Sequence, residues 1–430
     1  MRQKFFSFSI IAFLIFQSGI IFAQDIDSLI TEALKNNPQL KSLEFQITSA
    51  EYRAQSVRSL PPPTLGLEFS QVPINEFNVW NKALSNSVSL SQMFHLGGKL
   101  KAMANVEQKN ALIAKDDSEI YRLNLIAQLK MSYYNLWLIE KKIEIQQKNI
   151  DLLKNLGSAI NIGYQINRIN QADLLTVKSE IAANDAQLLI LRSQKEAEVY
   201  RLNKLLGRNL ESKEVYTMSD ISNDSLSISQ AQLEEKLEQS NPELQKMNSM
   251  VAMNRAMLRS NNKELIPDLM LQAMIMRMPQ GMILTSKSDL SMLEGKTETM
   301  YGVMASISLP FIPWSAKKYK AQKQEYLAQL KNIEYGKNDM QREMNALLKE
   351  ALVKLKTAKD LEKLYVDQVL PLSRKAVAAQ VSAYQNSQAN ITTVIDNYKM
   401  LLMQEMNYYM AQADFQMAKA EIEMMVGGIR

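Results

Sequence analysis

Glycine and proline are nearly confined to a few places in this chain, and the stretches they avoid are too long for an ordinary globular domain. Of 430 residues only 13 are Gly and 11 are Pro, and neither occurs from Lys99 to Leu156, from Tyr164 to Leu206 or from Leu372 to Val426. A further stretch, Trp314 to Leu370, holds only Gly336, which costs a helix about 1 kcal/mol relative to Ala and need not break it. Each stretch predicts a very long helix. At 1.5 Å of rise per residue the first extends on the order of 90 Å, so it must pack along its length against partners of similar length. The apolar positions Leu174, Val177, Ile181, Leu188, Leu191 and Tyr200 recur at the three-, four- and seven-residue spacings of coiled-coil or helical-barrel packing.

Between the helices lie segments of a different period. Thr64 to Gln71 sets Leu65, Leu67 and Phe69 against Gly66, Glu68 and Ser70, and Leu84 to Ser91 sets Leu84, Val88 and Leu90 against Ser85, Ser87, Ser89 and Ser91. One face of each segment is greasy and the other polar. Transmembrane barrels carry this dyad, apolar toward lipid and polar toward a wet lumen, in strands of about ten residues. A half-buried sandwich strand carries it too.

The chain also repeats itself. Asn37-Pro38-Gln39-Leu40 recurs as Asn241-Pro242-Glu243-Leu244, and Pro63-Thr64-Leu65 recurs at the same separation as Pro267-Asp268-Leu269. Further on, Ser89-Leu90 matches Ser308-Leu309, Lys101-Ala102 matches Lys320-Ala321, Tyr164-Gln165 matches Tyr384-Gln385, and Gly207 matches Gly427. The separation lengthens between the second pair of strands, where the connection Pro279 to Thr299 outruns its counterpart Val72 to Lys82, as variable surface loops do. Residues 24–223 and 224–430 therefore read as tandem repeats, each in the order helix, strand, strand, very long helix, long helix. Four strands cannot close a lipid-spanning barrel, whose smallest forms have about eight. Oligomerisation is expected.

Ahead of the repeats, residues 1–23 read as a secretory signal peptide, with Arg2 and Lys4, an apolar run from Phe5 to Phe22, and Ala23 before the polar Gln24-Asp25. No other apolar run approaches spanning length, so a membrane crossing would have to use strands. Cysteine is absent, which excludes disulfides, thiolate metal sites and a lipidated cysteine. The modest net charge of +5 implies no nucleic-acid partner. Nucleophile-His-Asp arrangements, His-Glu-x-x-His helices and phosphate loops are all missing as recognisable spacings. The chain is therefore expected to be no enzyme and to need no cofactor.

Taken in order, these marks resemble the TolC-like outer-membrane efflux proteins across the whole mature chain. They are the opening Ala33-Leu34-Lys35-Asn36-Asn37-Pro38, the duplication, the endings near Leu206-Gly207 and Val426-Gly427, and a Tyr-led turn in each second long helix. The resemblance implies a mainly helical protomer with four strands, trimerising into a 12-stranded transmembrane β-barrel whose helices continue as a periplasmic α-helical barrel. It implies a homotrimer in outer-membrane lipid, working with a periplasmic adaptor protein and an inner-membrane transporter as the exit duct of a tripartite pump. A periplasmic coiled-coil adaptor or structural protein that spans no membrane is the alternative.

The Tyr-led turns carry the family's gate. Members usually read Tyr-x-x-Gly, then Asp-Val nine residues after the Tyr, with a further Asp at twelve in the second repeat. Here Tyr164 is followed at nine by Asp173, and Tyr384 at twelve by Asp396. By resemblance Asp396 forms a carboxylate ring at the closed periplasmic tip. Asp173 and Tyr384 belong to the contacts that hold it shut, and Tyr164 is the matching tyrosine of the first repeat. Four positions depart from the pattern: Asn167 and Ser387 stand at the glycine position, Thr393 replaces the first Asp of the second repeat, and Ala389 stands where members carry Arg.

Methionine is abundant, with 26 residues. Met400, Met403, Met410 and Met417 read as helix-packing residues. The strand methionines are different: repeat registry places Leu65, Leu67 and Phe69 over Leu269, Leu271 and Ala273, assigning Met270, Gln272, Met274 and Met276 to the lumen face. Aligning Leu90 and Val88 with Leu309 and Ile307 turns Met304 inward as well. Soft sulfur ligands select Cu(I) and similar ions, so Met270, Met274, Met276 and Met304 are candidate transient contacts for a copper or silver cargo. A firm metal site is not expected. His95, the one histidine, reads as a rim or turn residue beside Gly97-Gly98 rather than as a ligand.

Overall fold

The computed structural model describes residues 25–167, 169–212, 221, 228–279, 297–386 and 388–428. The signal peptide read over residues 1–23, the repeat boundary at 223/224, most of the Pro279–Thr299 connection and Ser387 lie outside the described residues. The chain begins with α1 (Ile26–Asn36), α2 (Pro38–Arg58), β1 (Thr64–Ser70), a short α3 (Val79–Lys82), β2 (Ser85–His95), α4 (Lys99–Gln165) and α5 (Gln171–Leu206). There follow α6 (Gln230–Ser240), α7 (Pro242–Lys263), β3 (Asp268–Met278), β4 (Glu298–Ile307), α8 (Pro313–Leu364), a π-helical turn (Tyr365–Val369), α9 (Leu370–Gln385) and α10 (Ile391–Met425). None of the described helices is long and apolar enough to cross a membrane.

Several helix ends differ from those that glycine and proline suggest. Helix α4 continues through Gly157 and Gly163 to Gln165. Gly163 is there for space, because a Cβ on it would stand 2.5 Å from Ile169 Cδ1. Pro371 likewise falls inside a helix, just after the π-helical turn; a widened turn is one way a helix accommodates the missing N–H and the ring of proline. The helices end instead at Gln165 and Gln385, with neither glycine nor proline next in sequence, and Asn170 and Asn390 cap the helices that follow.

The helices and strands form two compact units, each drawing on both halves of the sequence. One comprises Met1–Asn36, Gln128–Ser225 and Lys354–Ala420; the other comprises Asn37–Ala127, Leu226–Val353 and Glu421–Arg430. The first is a packing of helices. Tyr133, Leu136 and Trp137 of α4 are buried with Leu188, Leu191 and Leu202 of α5 and Phe415 of α10, and Trp137 meets Tyr409 edge to face with ring centroids 5.8 Å apart. Of the apolar positions expected to face inward on α5, Leu174, Val177, Leu188 and Leu191 are buried and Ile181 packs against a core cluster, but Tyr200 is exposed. Its hydroxyl donates to Glu196 at 2.8 Å. Glu198 is turned inward instead, accepting from Ser132 Oγ and from Asn135 Nδ2. A buried carboxylate supplied with two donors escapes most of the penalty an unpaired one would carry.

The second unit holds an antiparallel sheet in the order β1-β2-β3-β4. Its helices explain two of the recurring sequence marks. Asn37 and Asn241 are N-caps, each followed by proline at the first helical position, where a missing N–H costs nothing. Asn241 also donates from Nδ2 to the Met425 carbonyl at 2.9 Å. Gly427 closes α10 in the left-handed conformation, φ 76°, and a Cβ on it would lie 2.7 Å from the Ser240 carbonyl oxygen. The Asn-Pro opening and the Val-Gly ending of the second half are thus one contact. In the other unit, Arg208 grips Glu32 with two charge-assisted bonds of 2.6 Å, joining α1 to the residue just beyond α5.

The candidate gate and the polar face of the sheet

The two Tyr-led turns meet in the helical unit. Ile160 of α4, Leu174 and Val177 of α5 and Ile391, Val394 and Ile395 of α10 form one buried cluster, with Tyr384 and Ile169 packed against it. After α4 the chain passes through Asn167 at φ 56°, the left-handed region that glycine favours and asparagine tolerates. Asn170 Oδ1 then accepts from the Asp173 N–H at 2.7 Å. In the second turn Asn390 Oδ1 accepts from the Thr393 N–H at 2.9 Å and from Thr393 Oγ1 at 2.6 Å. Thr393 thus joins a cap where the first repeat carries Asp173.

The four gate candidates occupy different surroundings. Asp173 is half-buried in the first turn of α5, where the helix dipole favours a carboxylate. Tyr384 is half-buried, and its hydroxyl is enclosed without a hydrogen-bond partner among the described residues. Burial, and behind it the negative charge of Asp173, pushes that hydroxyl above the ordinary tyrosine range. Asp173 and Tyr384 are therefore brought together. Asp396 and Tyr164 are exposed. One turn deeper lies a polar network that the sequence did not announce. Lys399 Nζ bonds Glu180 at 2.8 Å, Asn184 Nδ2 donates to Glu180 Oε1 at 2.8 Å, and Gln146 and Asn149 both donate to Asn184 Oδ1. It ties α4, α5 and α10 together.

In the other unit the strand register fixes the two faces of the sheet. Side chains directly opposite one another share a face, and Gly66 pairs with Ser89, Ser89 with Met274, and Met274 with Gly302. The same rows place Glu68, Ser87, Met276 and Met300 together, and Ser91, Gln272 and Met304 together. Met270, Met274, Met276 and Met304 all lie on this polar face with no intervening bulge, and Met93, opposite Met270, and Met300 join them. The opposite face presents Leu65, Leu67, Val88, Leu90, Leu271, Ile275, Val303 and Ile307, all exposed. Exposed aromatics stand at both ends of that apolar band: Phe77, Trp80 and Tyr301 at one, Phe311 and Trp314 at the other. This is the arrangement of aromatic girdles at membrane interfaces. Sequence reading missed it because Phe77, Trp80, Phe311 and Trp314 lie outside the strands and show no alternation.

Residues 29–208, less than half of the chain, match the family profile described as outer membrane efflux protein. Over those residues the chain is similar to the outer membrane efflux proteins. Among solved structures, the outer-membrane channel OprN superposes with a TM-score of 0.76 at 16% identity, covering 94% of this chain and 90% of that one. CusC, described in terms of folding and transmembrane channel formation, superposes with a TM-score of 0.77 at 17% identity, covering 94% and 92%. The outer membrane protein VceC from Vibrio cholerae gives 0.74 at 15% identity, covering 94% and 96%. A comparison with curated proteins returned no match. The chain therefore shares its fold with these proteins at low sequence identity.

Two readings of individual residues change. Met400, Met403 and Met410 are exposed in the single chain, while Met417 packs against a core cluster of the described residues. His95 is the last residue of β2 rather than part of the turn beyond it, and its Nδ1 lies 3.1 Å from Asp268 Oδ1.

Proposed function

We propose that this chain is an outer membrane efflux protein, one protomer of a homotrimeric exit duct whose strands lie in the outer membrane and whose helices extend into the periplasm, made with a cleaved signal peptide and built from two sequence repeats. It takes substrate from a periplasmic adaptor and an inner-membrane transporter and releases it outside. The observation that carries the reading is the sheet, whose two outer strands β1 and β4 each have one partner within the chain and whose apolar face is bare. In hydrocarbon an unpaired strand edge leaves polar backbone groups unsatisfied at several kcal/mol each. Four strands are too few to close alone, and three copies supply twelve. The periplasmic adaptor reading, in which the chain spans no membrane, leaves the apolar band and its aromatic ends without a purpose.

The paired turns are proposed as the gate. Asp396, exposed on α10, would contribute one carboxylate to a ring of three. Asp173 and Tyr384 would hold the turns closed, with Tyr164 at the matching position of the first repeat. The enclosed, unpartnered hydroxyl of Tyr384 supports a moving part, because an unmet buried donor costs about 1–3 kcal/mol that a rearrangement could recover. For cargo, the thioethers on the polar face favour a soft ion, and Cu(I) or Ag(I) export is the reading that Met270, Met274, Met276 and Met304 support. Crosslinking in isolated outer membranes tests the assembly. Trimers are expected, in a form that resists detergent until heated; monomers and dimers alone would sink the reading.

A further inference from the structure

Where β2 ends and β3 begins, the polar face carries a set of donors unlike the rest of it. His95 and Met93 share that face of β2, and across the pairing Asp268 stands opposite His95 and Met270 opposite Met93. Directly opposed residues have Cβ atoms about 4.5–5.5 Å apart, and diagonal neighbours remain within reach of aromatic and long side chains. The imidazole of His95 and the thioethers of Met93 and Met270 are thus able to meet over one patch. Met93 is 42% exposed and the His95 side chain 27% exposed, so the patch is reachable from the face it sits on.

The imidazole is already oriented. Since the Asp268 carboxylate can only accept, the 3.1 Å contact puts the proton of a neutral ring on His95 Nδ1 and leaves the lone pair on Nε2. The carboxylate is itself held. Its second oxygen accepts from Lys99 Nζ at 2.9 Å, its backbone N–H donates to Ser308 Oγ at 2.8 Å, and its carbonyl accepts from the Ser308 N–H at 3.0 Å. A carboxylate that fixes one ring nitrogen while the other faces outward is the usual support of a metal-binding histidine.

We propose that His95 Nε2, Met93 Sδ and Met270 Sδ form a binding site for a soft monovalent cation of the Cu(I) or Ag(I) type, one per chain. One imidazole and two thioethers are neutral, polarisable donors, which suit such an ion and are poor ligands for Mg²⁺ or Ca²⁺. The Asp268 charge is engaged by Lys99 and adds no free anion to the donor set. The proposal rests on the reading of this face as the duct's interior, and it adds a three-donor stop to a row of single thioethers. Open on one side, the site lets the ion leave, as conduction requires.

The test uses the full-length protein, purified from outer membranes in detergent and titrated with Ag(I) in chloride-free buffer. One Ag(I) per chain is expected, with an X-ray absorption spectrum showing one nitrogen and two sulfurs around the ion. Met93→Leu and Met270→Leu should each remove one sulfur and weaken binding about tenfold or more, and His95→Gln should remove the nitrogen. Retention of the heat-sensitive oligomer on gels shows that each variant is folded. Should His95→Gln fail to assemble, the wild-type spectrum decides by itself, since a shell without nitrogen overturns the site. Failure to retain Ag(I), or binding indifferent to all three variants, overturns it equally. The site and the cargo reading can fail separately. Metal tolerance that depends on Met274, Met276 and Met304 without an ion at His95 sinks the site alone, while an occupied site in cells of unchanged tolerance sinks the cargo reading alone.

Discussion

Asn167 shows how a residue other than glycine can hold a left-handed turn. Members of the TolC-like family carry glycine there, and the backbone at φ 56° is one that asparagine adopts at far lower cost than a β-branched residue would. Thr393 is a different case, for it keeps the cap contact with Asn390 and gives up the charge that Asp173 retains in the first repeat. In the proposed gate, Asp396 would then carry negative charge that an acid at 393 would otherwise share. Replacing Asp396 with Ala is expected to raise the single-channel conductance of the purified protein and to weaken block by multivalent cations, because three carboxylates concentrate cations in a narrow, partly dehydrated neck. Conductance and block unchanged in planar bilayers would remove Asp396 from the gate.

At the scale of elements, glycine and proline misplace helix ends whenever tertiary contacts decide what those residues are for. Gly163 makes room for Ile169 inside the last turn of α4, and Pro371 is absorbed beside a π-helical turn. Capping asparagines mark the ends better, and Asn241 works through both polar atoms of its side chain. Its Oδ1 accepts from the Leu244 N–H at 3.0 Å, and its Nδ2 meets the Met425 carbonyl. Asn241→Ala should destabilise the purified protein by about 2 kcal/mol, combining a lost cap with a carbonyl left without its donor. Asn241→Asp, which keeps the acceptor and loses the donor, should fall between the two in thermal unfolding. If both variants melt with the wild type, the contact between the Asn-Pro opening and the end of α10 contributes nothing to stability.

For the whole molecule, the consequence of the fold is a surface that one chain cannot finish. Two strand edges without a partner among the described residues, an apolar band bounded by aromatics and a face lined with serine and methionine fit the proposed closure of copies around a lumen. Inside such a lumen the methionines would be the passing contacts of the cargo. Replacing Met270, Met274, Met276 and Met304 together with leucine preserves volume closely enough that assembly should survive, and it removes the sulfurs. Cells that depend on this duct should then lose copper or silver tolerance at normal protein levels. Unaltered tolerance would mean that the methionines only fill space and that the cargo is something else.

Much of this was legible in the sequence because it depends on short-range periodicity. Alternation over Thr64–Gln71 and Leu84–Ser91 locates the first two strands to within a few residues, since side chains on a strand must take opposite faces. Repeat alignment then gives the parity of Met270, Met274, Met276 and Met304, because a one-residue slip would have turned every one of them over. The long helices follow from the same local logic. What periodicity cannot carry is contact between residues far apart in the chain. Only the tertiary structure turned Glu198 inward and Tyr200 out, joined Asn241 to Met425, and set Asp173 near the hydroxyl of Tyr384. It alone placed His95 against Asp268 and beside Met93 and Met270, because cross-strand pairing is decided when the sheet forms.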